Sequence, residues 1–366
     1  MQGKIRIRRF VIALVLILIF ASYQRLNSNF IISSFDRRGE FEAIVFLKTH
    51  KTGGSTIVNI LQRFGERHNL SIALPKKTYG ELRYNYFGDV GETLTRDHIF
   101  DPHGNTSFNI LCNHVIYNRT AFRKIFKRKT FYFTILREPL SNFLSAINYY
   151  GLTDGYIRKM LNENISRPIT NFFKNPRRYE PYNLYHSFTN NRQLLDLGFS
   201  PRENPRDLIS IKTFIKAINN DFHFVMIMEY FDQSLILIKR ILRWTFKDIL
   251  YMRQNKGRGM LATNITEEEK QKVYQWNRGD LMLYSFFLEK LKDKIKAEGQ
   301  SLEKEVLTFK DILQKVWEFC EQDEQVLPFT VRKTPWDSGF VLTYQECTFL
   351  RLNELQYLER LYAVIK

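Results

Sequence analysis

The segment Ala43-Ile-Val-Phe-Leu-Lys-Thr-His-Lys-Thr-Gly-Gly-Ser-Thr56 runs from apolar residues, Ile44 and Val45 of them β-branched, into a short loop rich in Lys, Gly, Ser and Thr. Immediately beyond it, Ile57, Ile60, Leu61 and Phe64 recur at i, i+3, i+4 and i+7, the period of an amphipathic helix, and Gly65 is expected to stop that helix. Strand, glycine loop and helix in that order form a phosphate cradle. Backbone N–H groups of the loop and of the helix N-terminus point at an anion, and glycines let the backbone come close to it.

The order of residues within the loop separates two kinds of cradle. A nucleotide triphosphatase loop reads G-x-x-x-x-G-K-[ST], with Lys after the glycines. Here Lys51 precedes Gly53 and Gly54, and no second Lys follows them. The run Lys51-Thr-Gly-Gly-Ser-Thr56 resembles instead the 5′-phosphosulfate loop of sulfotransferases, which implies 3′-phosphoadenosine-5′-phosphosulfate (PAPS) as a ligand.

Outward from this segment the pattern alternates strand and helix. Strands are expected at Ala43–Leu47, Phe108–Cys112, Phe131–Leu136 and Phe222–Met228. Helices are expected at Ser55–Phe64, Leu140–Tyr150, Ser234–Trp244, Glu267–Tyr274, Leu281–Ala297, Leu302–Cys320 and Tyr344–Val364. Short apolar strands between amphipathic helices predict an α/β fold with a mostly parallel central sheet flanked by helices. Ligands of such folds sit beyond the C-terminal strand ends, where Lys48–Ser55, Asn113, His114, Arg137 and Glu229 fall. Residues 162–204, rich in Pro, Asn, Arg and Tyr, read as a loop-dominated insertion.

The segment Phe131-Tyr-Phe-Thr-Ile-Leu-Arg-Glu-Pro139 is a strand followed by Arg137 and a helix opened by Pro139. Ser145 lies about two turns into that helix. Sulfotransferases hold the 3′-phosphate of their donor with an Arg and a Ser at this spacing. A guanidinium suits the task because it is permanently charged and bidentate, and a hydroxyl adds a donor with little bulk.

Several segments together resemble the galactose-3-O-sulfotransferases, a family that includes galactosylceramide sulfotransferase. They are Phe46–Thr56, Asn113-His114, Leu136-Arg-Glu-Pro139 with its helix through Tyr150, Met228-Glu-Tyr-Phe-Asp-Gln-Ser-Leu235, and Asp280-Leu-Met-Leu-Tyr-Ser-Phe-Phe287. The likeness spans residues 43–297 and weakens beyond. It implies a P-loop-like sulfotransferase fold, PAPS as donor, a terminal β-galactose of a glycolipid or glycan as acceptor, and a type II Golgi membrane protein. Gly53-Gly54 departs from the Ala or Ser common in the family.

Sulfuryl transfer is an in-line displacement that depends on positioning and charge stabilisation. Lys51, with the backbone of Thr52, Gly53, Gly54, Ser55 and Thr56, is placed to hold the 5′-phosphate and neutralise it as it leaves. Lys48 serves the sulfuryl or acceptor side. A sugar hydroxyl needs a general base, and His114 is the candidate, since a neutral imidazole is available near neutral pH. His50, inside the cradle, is read as ordering the loop. Glu229 is a candidate for orienting a base or binding sugar hydroxyls. In the basic segment Tyr251–Gly259, Arg253, Lys256 and Arg258 are candidates for the 3′-phosphate. No metal is expected, because Lys and Arg supply the positive charge.

The termini and composition set the setting. Lys4, Arg6, Arg8 and Arg9 precede an uncharged apolar run, Phe10–Ala21, that lacks small residues well placed for cleavage. By the positive-inside rule the arrangement predicts a cytoplasmic tail (1–9), a signal-anchor transmembrane helix (10–23), a polar stem (24–42) and a lumenal catalytic domain (43–366). N-x-[ST] sequons at Asn69, Asn105, Asn118, Asn164 and Asn264 agree with a lumenal location. A net charge of +17 calls for anionic partners or a membrane surface; in the lumen a phosphorylated, sulfated nucleotide fits that charge better than nucleic acid. Of three cysteines, Cys112 reads as a buried thiol, and Cys320 with Cys347 as the pair placed to bridge. Three other functions stay open at this level: a glycosaminoglycan sulfotransferase, a nucleotide kinase (disfavoured by the loop order), and a non-catalytic lumenal binding protein.

Overall fold

The computed structural model describes residues 41–76, 85–104, 106–126, 129–151, 154–163, 167–200, 207–252, 265–322 and 327–365. The expected anchor at 10–23, the sequons at Asn105, Asn164 and Asn264, and Arg253, Lys256 and Arg258 lie outside the described residues. Among those described, no helix is long and apolar enough to cross a membrane.

Four strands form the central sheet: β1 (Ala43–Leu47), β2 (Ile110–Leu111), β3 (Thr130–Leu136) and β4 (Phe224–Ile227), in the order β2-β1-β3-β4. Every pairing is parallel, with Val45 opposite Leu111, Phe46 opposite Phe133 and Ile135 opposite Met226. All five residues of β1 and all four of β4 are buried. That is why both read as unbroken apolar runs: a parallel strand covered on both faces has no polar side. The expected strands at 108–112 and 222–228 are shorter, because only their centres pair. From β1 the chain crosses to β2 on one side, and from β3 it leads to β4 on the other. The loops after β1 and β3 therefore diverge, and a crevice opens between them at the C-terminal edge of the sheet.

Helix α1 (Gly54–Arg67) follows β1 and buries Ile57, Val58, Ile60, Leu61 and Phe64. Gly65 does not stop it. A Cβ there would lie 2.6 Å from Ile72 Cδ1 and 3.0 Å from Ile110 Cδ1, so this glycine permits close packing within the helix. Helix α2 (Pro139–Tyr150) begins after β3 with Pro in its first turn, and the Glu138 carboxylate accepts from the Leu140 and Ser141 amides at 2.9 and 2.7 Å.

The stretch 162–204 is more than a loop. Gly155–Glu163 and Pro168–Lys174 are helical, and Ile157, Met160, Ile169, Phe172 and Tyr179 join Phe143 and Ile147 of α2 in a second apolar core. A five-residue helix, α3 (Arg192–Asp196), is buried throughout. Its residues are mostly polar, so periodicity alone assigns it to the surface. Helix α4 (Leu208–Asp221) leads into β4, and α5 (Phe231–Leu242) leaves it, ended by Arg243 at φ 56°. Helix α6 (Glu267–Trp276) opens on a Thr266/Glu269 capping box.

The long helical run α7 (Arg278–Glu321) is broken at Gly299, whose φ of 59° and ψ of −151° suit glycine alone; the two helices expected on either side of that point are present. The last expected helix is two, α8 (Tyr344–Arg351) and α9 (Glu354–Ile365), separated where Asn353 caps α9 by accepting from the Gln356 amide at 3.0 Å. Cys320 of α7 is bonded to Cys347 of α8, while Cys112 is buried as a free thiol whose pKa is raised by burial. The bridge spans 27 residues of sequence. Replacing Cys347 with serine is expected to cost about 2–4 kcal/mol by releasing that loop in the unfolded chain; a denaturant titration checks it, and an unchanged midpoint would show the bridge to be thermodynamically idle.

Candidate active site

The loop after β1 is braced from below by its threonines. Thr49 Oγ1 bonds to the Ile135 carbonyl of β3, and Thr49 and Thr52 Oγ1 atoms lie 2.9 Å apart. Thr52 Oγ1 also donates to the Thr49 carbonyl at 3.1 Å. Thr52 is fully buried and its side chain is spent on the loop itself, which leaves it out of the cleft lining. The loop then turns through two left-handed residues, Lys51 at φ 60° and Gly53 at φ 84°. For Lys51 this conformation costs strain of order 1–3 kcal/mol, held in place by the surrounding hydrogen bonds. Gly53 must be glycine on two counts, since a Cβ would also sit 2.6 Å from Met228 Sδ.

His50 is locked. Its amide donates to Asp196 Oδ2 at 2.8 Å, its Nδ1 lies 2.8 Å from the same carboxylate and 3.1 Å from Arg192 Nε, and its Nε2 lies 2.7 Å from the Tyr86 hydroxyl. Arg192 pairs with Asp196 at 2.8 Å. Burial, then the Arg192 guanidinium and the lysines at 48 and 51, hold the imidazole well below its ordinary pKa. With both ring nitrogens engaged, His50 orders the loop and has no lone pair left for a base. The Asn142 amide group, from α2, donates to the His50 carbonyl at 2.8 Å and secures the turn from the other side.

His114 lies past the end of β2, the strand next to β1. Its ring stacks on His50 with centroids 4.0 Å apart and on Tyr86 at 4.8 Å. Nδ1 lies 3.1 Å from the Lys48 carbonyl. A carbonyl only accepts, so Nδ1 carries the proton and Nε2 keeps its lone pair. Burial, then His50 and Lys48, push the pKa of His114 well down, so the ring is neutral at pH 7. The orienting partner of this ring is thus a backbone carbonyl. Glu229 is engaged elsewhere, accepting from the Glu138 amide at 3.1 Å and the Tyr284 hydroxyl at 3.2 Å.

Arg137 leaves β3 with its backbone gripped on both sides by one side chain. Gln193 Oε1 accepts from its amide at 2.8 Å, and Gln193 Nε2 donates to its carbonyl at 2.9 Å. Gln193 in turn stands on Asp280, which accepts from the Gln193 and Leu194 amides at 3.1 and 2.8 Å. The guanidinium reaches across to the glycine loop, where Nη1 donates to the Lys51 carbonyl at 3.1 Å. Burial lowers the pKa of Lys51 to about 8, aided by Lys48 and Arg137, and its ammonium rests 3.4 Å from the centroid of the Tyr149 ring. Lys48 is buried too, and its ammonium pairs with Glu354 of α9, whose other oxygen accepts from Asn113 Nδ2 at 2.9 Å.

These groups open on one cleft of about 810 Å³. Of the residues singled out in the sequence, Lys48, Lys51, Gly53, Gly54, Ser55, Thr56, His114, Arg137 and Ser145 all line it. Three contributions were missed: Tyr86, the Arg192–Asp196 helix and Glu354. No local motif marks any of them. Among the described residues, no group of three or more His, Cys, Asp or Glu side chains could hold a metal ion.

A sequence model described as galactose-3-O-sulfotransferase matches residues 28–365. The chain belongs to the galactose-3-O-sulfotransferase family. It is 30% identical over 346 residues to galactose-3-O-sulfotransferase 2 of Mus musculus, covering 88% of this chain and 84% of that one. It is 31% identical over 344 residues to galactose-3-O-sulfotransferase 3 of Mus musculus (87% and 77%), and 29% identical over 335 residues to galactosylceramide sulfotransferase of Homo sapiens (86% and 77%). The family match runs well past residue 297, into the C-terminal helices that carry Cys347 and Glu354. Membership therefore covers the whole lining of the cleft, including the part the motifs do not reach.

Proposed function

We infer that this chain transfers a sulfuryl group from PAPS to the 3-hydroxyl of a terminal galactose on a glycolipid or glycoprotein glycan. The observation that carries the reading is the reach of the Arg137 guanidinium to the Lys51 carbonyl, 3.1 Å across the β1–β3 crevice. It puts two cationic loops on one cleft, one for each phosphorus centre of an adenosine bisphosphate. The fit of such a donor rests on the cradle: Gly53 and Gly54 leave no room for a Cβ, which at Gly54 would lie 2.9 Å from Lys48 Cγ. Anion backbone contacts need that bareness.

PAPS supplies the sulfuryl group. Lys51 and the amides of residues 53–55 hold its 5′-phosphate and neutralise the charge that collects there as the S–O bond breaks, with the turn tied below by the Thr56 amide, which donates to the Gly53 carbonyl at 3.2 Å. Arg137 and Ser145 hold the 3′-phosphate. His114 Nε2 takes the proton of the galactose hydroxyl as the new O–S bond forms, and the Lys48 carbonyl steadies the imidazolium through Nδ1–H. The proton leaves with His114 and the electron pair leaves with the nucleotide phosphate, so the step balances without a metal or redox partner.

A Golgi location, with a single type II anchor at 10–23 and a lumenal domain from 43, belongs to the same reading. The Cys320–Cys347 bond suits an oxidising compartment, and the side chains of Asn69 and Asn118 are exposed. The test is incubation of the full-length chain with radiolabelled PAPS and a panel of galactosides beside heparan and chondroitin chains, with the linkage read from the product. Label in the 3-position of galactose is expected; label in uronic acid or hexosamine alone would replace the acceptor. A Gly53→Ala variant is expected to lose about 1–2 kcal/mol of stability from its positive φ and most of its affinity for 3′-phosphoadenosine 5′-phosphate; thermal melting and calorimetry check both.

A further inference from the structure

Among the described residues, three carboxylates line the cleft: Glu229, Asp232 and Glu354. Glu229 braces the Arg137 turn as described above, and Asp232 accepts from the Tyr251 hydroxyl at 2.7 Å, past the end of β4. Glu354 sits at the other end. Its Oε1 accepts from Asn113, the residue before His114, and its Oε2 pairs with Lys48, whose carbonyl fixes His114. Both partners of this carboxylate are thus part of the backbone that places the base. The helix does not need it, because α9 is capped by Asn353 and Gln356, each side chain bonded to the other's amide at 3.0 Å.

The chemistry of the two ligands tells what Glu354 is for. The phosphate and sulfate groups of the nucleotide, the part of it that reaches His114, only accept and are met by lysine, arginine and backbone N–H. A sugar hydroxyl has a proton to give, and none of those groups accepts it. His114 Nε2 provides one acceptor, for the hydroxyl that attacks. An ionised carboxylate has about four lone-pair sites, and Asn113 and Lys48 take one each. The Lys48 ammonium also cancels the carboxylate charge, so that it does not repel the sulfuryl oxygens nearby.

We propose that Glu354 is an acceptor-binding residue: its carboxylate receives a hydrogen bond from a galactose hydroxyl flanking the sulfated carbon, the 2- or the 4-hydroxyl, and so selects the sugar. The assignment rests on the galactose sulfotransferase reading above. Such a bond is worth roughly 10–100-fold in discrimination, because the site's buried polar groups go unpaired when the hydroxyl is missing.

The test compares the full-length wild type with Glu354→Gln on a galactoside and on its 2-deoxy and 4-deoxy analogues. The KM for PAPS, affinity for 3′-phosphoadenosine 5′-phosphate and thermal melting are measured alongside. The expected result is a ~10–100-fold fall in kcat/KM for the parent galactoside, carried by the KM for sugar, with nucleotide affinity kept. On the analogue that lacks the contacted hydroxyl, wild type and variant should be equally poor. Equal losses of the variant on all three sugars, or a fall in nucleotide affinity, would overturn the assignment and leave Glu354 a brace for Lys48. A wild type that transfers to no galactoside would overturn the proposed function itself, a separate outcome. Should the glutamine variant fail to fold, Glu354→Asp carries the same comparison, because shortening the side chain displaces the acceptor atom and leaves its charge.

Discussion

Replacing His114 with alanine is expected to lower kcat by about 10²–10⁴-fold, the range of a lost general base, while affinity for 3′-phosphoadenosine 5′-phosphate is kept. The split follows from where the ring is held. Nδ1–H is committed to the Lys48 carbonyl, which leaves Nε2 as the atom with a lone pair, and the ring lines the cleft that the phosphate loop also lines. The donor loop keeps its main anchors when the His114 ring is removed, since His50 is held by Asp196 and Tyr86 and Thr49 by the Ile135 carbonyl. The pH profile carries a second signature. Burial and the neighbouring His50 and Lys48 depress the His114 pKa, so the basic form is already present at pH 6.5, the ordinary midpoint of a histidine. The pH profile of kcat/KM, which reports the free enzyme, should therefore be flat through that pH and fall only in more acidic solution, as the ring becomes protonated. In the alanine variant the residual rate should lose that acidic limb and rise with hydroxide. An alanine variant with wild-type kcat would sink the role, and so would an acidic limb centred at 6.5 or above.

The parts of this architecture that could be read from the sequence are those whose causes are local. β1 and β4 are unbroken apolar runs because both faces of a covered parallel strand are buried, and β3 is mostly apolar for the same reason. The glycines at 53 and 54 announce a close backbone approach, and Pro139 announces a first helical turn. Once two strand ends carry Lys51 and Arg137, the topology brings them together without further instruction. His114 was legible for the same reason, as the polar residue just past a strand beside β1.

What could not be read depends on distance or on buried polarity. Lys48 and Glu354 are 306 residues apart in sequence, and nothing near either marks the pairing. Arg192, Gln193 and Asp196 look like surface residues, yet they are buried because they satisfy the backbone of the two functional loops: Asp196 that of His50, Gln193 that of Arg137. Gly65 shows the converse error. A glycine after a helical period reads as a terminator, and only the contacts with Ile72 and Ile110 show it to be a packing residue.

The second large effect is expected at Lys51. A Lys51→Met variant should lose about 10²–10³-fold in kcat, as when one donor to a developing anion is removed, with weaker binding of 3′-phosphoadenosine 5′-phosphate as well. The pH dependence of that binding distinguishes Lys51 from the other cations. Burial, Lys48 and Arg137 lower its pKa in the empty cleft to about 8, whereas a bound phosphate favours the ammonium and raises it. The sign is then determined. Below pH 8 the lysine is already charged, and affinity does not change with pH on its account. Above pH 8 binding must take up a proton, so affinity falls by up to tenfold per pH unit until the pKa of the complex is reached. Isothermal calorimetry in two buffers of different ionisation enthalpy reads the proton directly: uptake at pH 9, none at pH 7, and none at either pH for Lys51→Met. Arg137→Lys should behave differently, with weakened binding across the whole range because an ammonium cannot replace the guanidinium fork, and with the proton uptake at pH 9 retained. Uptake that survives in Lys51→Met would move the leaving-phosphate role to Lys48, the other buried lysine at the mouth of the loop.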